Sequence, residues 1–376
     1  MTARRLIVAL ILLLSSALGG CSTAMQGTPL PDGFSLKKVA DSVPGSPFAA
    51  NRDGTLASVT KGGLEITDVD GSSRNIASES ASLLCFSPGG SRLAAAMPID
   101  NGTLLRLFDL EGKLLGETAI KERVTSMAWR STEEVLAASL GINKFTFGSQ
   151  LISRLYRWDG LTPPLATTLS DVTVRPPVGK MPQETIYGSL SIAVSPYGDE
   201  IAFSALRDPP LFTPYLRIST RHMETGTEHE VAKTSVGSGG IIYTPDGESL
   251  VVSDAHAMTR KLALPDGKET DAWPTPGSNS ALSPSGEYAF LDGRLYHSGK
   301  VIATFPPQTR GTFIPDGSGL ALSLDGKLYL VKGLQDRPAP PLPAGLDRLL
   351  KLRRLRSLGL ISEQEYRAQK KKETAK

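Results

Sequence analysis

The chain has 376 residues, 40% of them hydrophobic, and 41 Lys/Arg set against 38 Asp/Glu give it a formal net charge of +3. That length admits two or three ordinary domains, and the near balance of charge excludes the strongly basic surface of a nucleic-acid binder. Gly 37 and Pro 27 beside two cysteines, Cys21 and Cys85, describe a turn-rich body that builds its own core without disulfide staples.

The first element is an export signal over residues 1–20. Arg4 and Arg5 precede the apolar run Leu6–Leu18, and small residues follow. The run is too short and too clearly terminated for the usual spanning helix. Leu18-Gly19-Gly20-Cys21 resembles the bacterial lipobox, which implies that the Cys21 thiol is acylated and becomes the new N-terminus. The alternative is a chance cysteine near a cleavage site. Acyl chains contribute about 0.8 kcal/mol per buried methylene, so two or three of them hold firmly. Enterobacterial lipoproteins retained in the inner membrane carry aspartate where this chain has Ser22; by that resemblance serine allows the outer membrane, the expected location in the cell envelope, and leaves its face open. Residues 21–33 are rich in Ser, Thr, Gly and Pro and read as a flexible tether.

From residue 34 one pattern recurs: a short apolar run, a polar turn ending near glycine, and a second apolar run. Phe86-Ser87-Pro88-Gly89-Gly90, Val194-Ser195-Pro196-Tyr197-Gly198 and Tyr243-Thr244-Pro245-Asp246-Gly247 are the clearest copies. Leu282-Ser283-Pro284-Ser285-Gly286 and Phe313-Ile314-Pro315-Asp316-Gly317 continue the series. Proline presets the first corner, Asp, Ser or Asn bonds back to the main chain, and glycine accepts positive φ. Ala50-Asn51-Arg52-Asp53-Gly54 is a weaker copy, and Trp129-Arg130-Ser131-Thr132-Glu133 has lost both proline and glycine. With Glu133 filling that gap, the turns recur about every 44 residues, the length of a four-stranded propeller blade. A second hairpin follows each first one, with turns at Asp70-Gly71, Glu111-Gly112, Asp159-Gly160 and Asp266-Gly267.

The expected fold is all-β: a seven-bladed β-propeller over 34–333, with six or eight blades left open by the doubtful repeat at Trp129. Single four-stranded sheets cannot bury both faces, and radial stacking covers them. The last repeat lacks a fourth strand, and Phe34–Val39 is expected to supply it; an unstructured lead-in is the alternative. The Ser-Pro-Asp-Gly turns followed by Leu-Ala resemble those of bacterial WD-repeat-like and TolB-like propellers, and that likeness speaks to architecture alone.

Residues 334–345 form a proline-rich linker. The segment 346–376 then reads as a small C-terminal α-hairpin, with Leu349, Leu352 and Leu355 in its first arm, Gly359 as C-cap and Ser362-Glu363-Gln364-Glu365 as a capping box. Gly359-Leu360-Ile361-Ser362-Glu363 with Glu365-Tyr366 resembles the bacterial SHOCT-type domain. The resemblance implies an oligomerisation or docking tail built on Leu349, Leu352, Leu355, Leu360, Ile361 and Tyr366. Ten Lys/Arg against four Asp/Glu in the tail leave a lipid surface as the other reading.

No catalytic, cofactor or metal constellation is legible. His222, His229, His256 and His297 fall in separate repeats and read as surface or loop side chains. Asp68-Val69-Asp70-Gly71 lacks the further ligands of a calcium loop and reads as a hairpin turn. No Gly-x-Ser-x-Gly elbow occurs. Cys85, inside an apolar run, reads as a buried small residue. The irregular stretches carry the functional expectation, because rigid scaffolds place function on loops. They are Ile142–Ser153 with Phe145 and Phe147, Val172–Tyr187, and Leu206–Tyr215 with Arg207, Asp208, Phe212 and Tyr215. The expected function is a lipid-anchored, non-catalytic interaction platform of the cell envelope. It holds the membrane through Cys21 and needs no cofactor, metal or nucleic acid; its protein partner is unnamed, and self-association through the tail is the further expectation. The alternative is an enzyme or small-ligand receptor using the central channel.

Overall fold

In the computed structural model, which describes residues 30–146, 148–174, 190–206, 215–235, 240–253, 258–274, 280–338, 352, 355 and 361–374, the six turn glycines all take left-handed φ, from +69° at Gly198 to +83° at Gly54. Each turn reverses the chain between the first two strands of a four-stranded antiparallel sheet, and seven such sheets follow one another. The closing strand comes first in the chain, as β1 (Ser35–Asp41). Blade 1 is β2 (Phe48–Ala50), β3 (Leu56–Thr60), β4 (Gly63–Thr67) and β5 (Ser73–Ala77). Blade 2 is β6 (Leu83–Phe86), β7 (Arg92–Ile99), β8 (Gly102–Asp109) and β9 (Leu114–Ile120). Blade 3 is β10 (Arg123–Trp129), β11 (Val135–Phe145), β12 (Gly148–Trp158) and β13 (Leu165–Val174). Blade 4 is β14 (Ile192–Val194), β15 (Glu200–Ala205), β16 (Tyr215–His222) and β17 (Glu228–Ser235). Blade 5 is β18 (Gly240–Tyr243), β19 (Ser249–Ser253), β20 (Thr259–Ala263) and β21 (Glu269–Trp273). Blade 6 is β22 (Ser280–Leu282), β23 (Tyr288–Leu291), β24 (Arg294–His297) and β25 (Lys300–Thr304). Blade 7 takes β26 (Arg310–Phe313), β27 (Gly319–Leu324) and β28 (Lys327–Lys332), with β1 as its outer strand.

The first strands of the blades touch in order around the axis, from β2 through β6, β10, β14, β18 and β22 to β26, and β26 returns to β2. The ring is closed and has seven blades, so six and eight are excluded. Strand alternation explains how neighbours stack. In β7, Leu93, Ala95 and Met97 join the core shared with blade 1, while Ala94 and Ala96 face blade 3. Small alanines let the inner faces approach closely. Leu56 packs with Ala321 and Leu328 across the junction of blades 7 and 1, and Phe290, Phe313 and Val331 fill the one between blades 6 and 7.

The blade that lost its proline and glycine has replaced both with a serine. The Ser131 hydroxyl accepts from the amides of Glu133 and Glu134, each at 3.1 Å. The turn is also one residue shorter than its neighbours: Arg130 N–H bonds Glu134 O, where Ser195 N–H bonds Glu200 O.

The expected closure is present, with the strand running on to Asp41: β1 pairs antiparallel with β28 from Ser35↔Lys332 to Asp41↔Lys327. Chain entry and exit therefore lie together at the end of the ring that carries the proline turns. Gly333, at φ +99°, passes so close that a Cβ there would sit 2.3 Å from Gly33 O. Leu334 is buried against blades 6 and 7, and Asp336 accepts from the Ser285 amide at 3.3 Å and from its hydroxyl. The first residues of the proline-rich stretch thus lie on the ring.

In the tail the capping box forms. Ser362 N–H and Oγ donate to Glu365 Oε2 at 2.7 Å, and Glu365 N–H returns to Ser362 Oγ at 3.2 Å. It opens α1 (Glu363–Thr374). These bonds from Ser362 lower the Glu365 pKa, so the cap is present above the ordinary glutamate range and is lost as pH falls through the depressed value. Of the expected first arm, Leu352 and Leu355 are helical and the rest lies outside the described residues. No helix among the described residues is long and apolar enough to cross a membrane.

Candidate functional site: the flap-side face

Opposite the proline turns, blade 3 rises above the ring. The stretch Ile142–Ser153, expected as a loop, is a continuation of the β11–β12 ladder as far as Phe145↔Gly148, and β13 follows it to Ser149↔Val174. Phe145 is therefore a strand residue, 46% exposed near the tip of this flap. Tyr215 is likewise in a strand, opening β16 opposite Ser235. One side of the flap leans on blade 4: Leu151 and Val172 pack with Leu206 and Leu216, beside Leu140 and Ile142. The structure thus packs Leu151, from the expected stretch 142–153, on Leu206 and Leu216, which flank the residues 207–214 that lie outside the described ones. Phe147, Arg207, Asp208 and Phe212 lie outside the described residues, as do 175–187, Cys21, Leu349 and Leu360. In the tail, Leu352, Leu355 and Ile361 are half-buried and Tyr366 is buried.

The other side of the flap borders a cleft of about 920 Å³. Its opposite wall is the β7–β8 tip, Pro98 to Thr103, and its floor is the connector Lys121-Glu122-Arg123. That connector is fixed from two directions. Thr103 Oγ donates to Glu122 O at 3.1 Å and accepts from Val124 N–H at 3.0 Å. The Glu122 carboxylate takes an ion pair from Arg154 and a 2.6 Å hydrogen bond from Tyr156 Oη. Burial pushes the Tyr156 hydroxyl above its ordinary value, so it stays a donor. Gly141 leaves room for this side chain, since a Cβ there would lie 3.0 Å from Glu122 Cγ. Lys121 and Arg123, on either side, are exposed. Across the flap runs a polar ladder in which Asn143 Nδ2 donates to Gln150 Oε1 at 3.2 Å and Gln150 Nε2 to Asp171 at 2.9 Å. Asn143 and Gln150 fall within the stretch 142–153 that carries the functional expectation, whereas Lys121, Glu122, Arg123, Arg154 and Tyr156 have no signal in the sequence. Glu122 meets Arg154 and Tyr156 across some thirty positions, and a pair so distant leaves no local spacing to read.

At the opposite end of the axis the proline turns form a second mouth, a hollow of about 510 Å³ to which every blade contributes. Pro88, Pro196, Pro245, Pro284 and Pro315 ring it, with Trp129 inside and exposed Arg52 at the rim. Its described lining includes no histidine and no carboxylate. Among the described residues no group of three or more His, Cys, Asp and Glu gathers as metal ligands would. Of the four histidines, His297 stacks on Tyr288 at 4.4 Å, His222 Nδ1 accepts two turn amides at 3.3 Å, His229 is in β17 and His256 lies outside the described residues. Burial pushes the Cys85 thiol up to about 12, so it is protonated at neutral pH and a poor nucleophile.

No family model matches the chain, and no curated protein matches it either. Among solved structures it is similar to the β-propeller domain of Cps50 (Swd1) from Myceliophteria thermophila, with a TM-score of 0.53 and 17% identity, over 80% of this chain and 99% of that domain. Likeness at that identity is a likeness of fold, and it agrees with the strand order described above: the chain is a seven-bladed β-propeller.

Proposed function

We propose that this propeller is a lipid-anchored, non-catalytic interaction platform of a bacterial cell envelope, held at the outer membrane through Cys21 and presenting its flap-side face to a protein partner. The observation that carries the reading is the flap. Three strands of one blade leave the common plan and raise an exposed aromatic beside a cleft of mixed polar and apolar lining, on the face opposite the point where the chain enters the ring at Phe34 and leaves it at Gly333. An anchor at Cys21 precedes Ser35 by fourteen residues. At about 3.5 Å per extended residue it would hold the proline-turn end within roughly 50 Å of the bilayer, leaving the flap side free. The SHOCT-like tail leaves from the same end as the anchor and adds a second docking element, through which copies of the chain can associate.

The test compares envelopes from cells producing the full chain, a Cys21→Ser variant, and a variant in which residues 142–151 are replaced by an Asn-Gly turn. Membrane association is expected to be lost in the Cys21→Ser chain. Protein adducts trapped by an amine-reactive cross-linker are expected in the full chain and to disappear when the flap is shortened. The same adducts with and without the flap would overturn the platform reading.

A further inference from the structure

The cleft beneath the flap carries an inference about the chemistry of that partner. Its charges are unevenly spent. Glu122 is fully engaged by Arg154 and Tyr156, which leaves Lys121 and Arg123 as the cations facing an incoming ligand and Asp100, on the β7–β8 tip, as the one other carboxylate of the described lining. Both cations are exposed and stand on a connector held by Thr103, Val124 and the Glu122 cluster. With the backbone beneath them held, the two cations present a localised positive charge that attracts an anion. Between them and the flap the walls are apolar: Ile152 on one side, and on the other Ile99, which is 43% exposed. Asn101 and Asn143 add amide groups at the two edges. Apolar walls with separated cations suit a chain that alternates carboxylates with aliphatic side chains, and a volume of about 920 Å³ takes several residues of such a chain. A phosphate group would instead call for donors converging on one point, as backbone amides do in an anion nest, and the two cations here flank the connector.

We infer that this cleft binds an acidic, aliphatic-containing peptide segment of the partner protein, an inference that rests on the platform reading. Lys121 and Arg123 hold the carboxylates, Ile99 and Ile152 take the aliphatic groups, and the Glu122–Arg154–Tyr156 cluster keeps the floor rigid. The experiment titrates the full chain, in a non-ionic detergent, against a fluorescein-labelled octapeptide alternating glutamate and leucine. The counterpart with glutamine for glutamate and inorganic tripolyphosphate serve as comparison probes. Binding of the glutamate peptide is expected to weaken at least tenfold in the Lys121→Glu/Arg123→Glu variant, and to weaken several-fold between 50 mM and 500 mM salt. The milder Lys121→Gln/Arg123→Gln variant, with unchanged Tm, is expected to fall between the two. Equal binding of the glutamine peptide, or binding of tripolyphosphate alone, would overturn the inference. So would unchanged affinity in both variants. Flap-dependent envelope adducts that persist without peptide binding would overturn this inference and leave the platform reading standing, whereas adducts that never depended on the flap would remove the platform reading itself.

Discussion

Deleting Ser35–Asp41 is expected to lower the melting temperature by roughly 6–12 °C and to make the protein associate as its concentration rises. The strand is the outer edge of blade 7. Leu36 packs against the core between blades 6 and 7, and Val39 and Ala40 against the one between blades 7 and 1. They are half-buried, so at half of about 1.5–3 kcal/mol for a fully buried side chain their loss costs roughly 3 kcal/mol. That is a large fraction of a total stability of about 5–15 kcal/mol, and each kcal/mol moves the Tm of a domain this large by about 2–4 °C. Deletion also exposes the whole edge of β28, an open template for pairing with another chain. Calorimetry and light scattering read the two effects, and a synthetic peptide of residues 34–41 added in excess is expected to reverse both. An unchanged Tm would mean that the first strand is ornamental and that the ring holds without it.

Replacing Arg130 by methionine is expected to destabilise the fold by about 3 kcal/mol, the lower end of the cost of breaking a buried ion pair. The side chain is 1% exposed. Its Nε donates to Gly198 O in the next blade at 2.6 Å, and its Nη1 to Glu134 Oε2 at 3.1 Å. Arg157 also holds Glu134, at 2.8 Å from Nη2, so the carboxylate keeps one partner and the loss stays below the full range. The variant should show a lower urea midpoint with an unchanged slope, because the surface exposed on unfolding is the same. A midpoint equal to that of the parent would show that the inter-blade bond to Gly198 is dispensable.

Arg130 also marks where the sequence ceases to be readable. The regular turns were legible because their chemistry is local: proline, a short polar residue and glycine each serve one dihedral or one amide within five positions. Those signals placed the turns of six blades, and counting strands placed β1 on blade 7. At Trp129–Glu134 a shorter turn is held instead by a serine hydroxyl and by a guanidinium whose partner belongs to the next blade, 68 residues on. Nothing in the local pattern announces that. The flap is hidden for a related reason: Ile142–Ser153 lacks the Asn-Gly or Asp-Gly signature of a hairpin turn, so nothing local distinguishes a longer ladder from an inserted loop. Pairing of β11 with β12 and packing of Leu151 on Leu206 and Leu216 are tertiary facts. The cleft is assembled from a blade 2 tip, a connector and a blade 3 sheet, and its cations acquire meaning once Glu122 is seen to be spent on Arg154.

The ring has two unlike ends: one carries the proline turns and the chain's entry at Phe34 and exit at Gly333, and the other carries the flap that we propose receives a partner. The most direct measurement places a photoreactive phenylalanine analogue at position 99 or 145 on the flap side, and at position 161, where Leu161 is 84% exposed in the turn after β12 on the other end. Irradiation of cells producing these full-length chains is expected to give discrete protein adducts from positions 99 and 145 and none from 161. Adducts confined to position 161, or distributed equally between the two ends, would contradict that proposal.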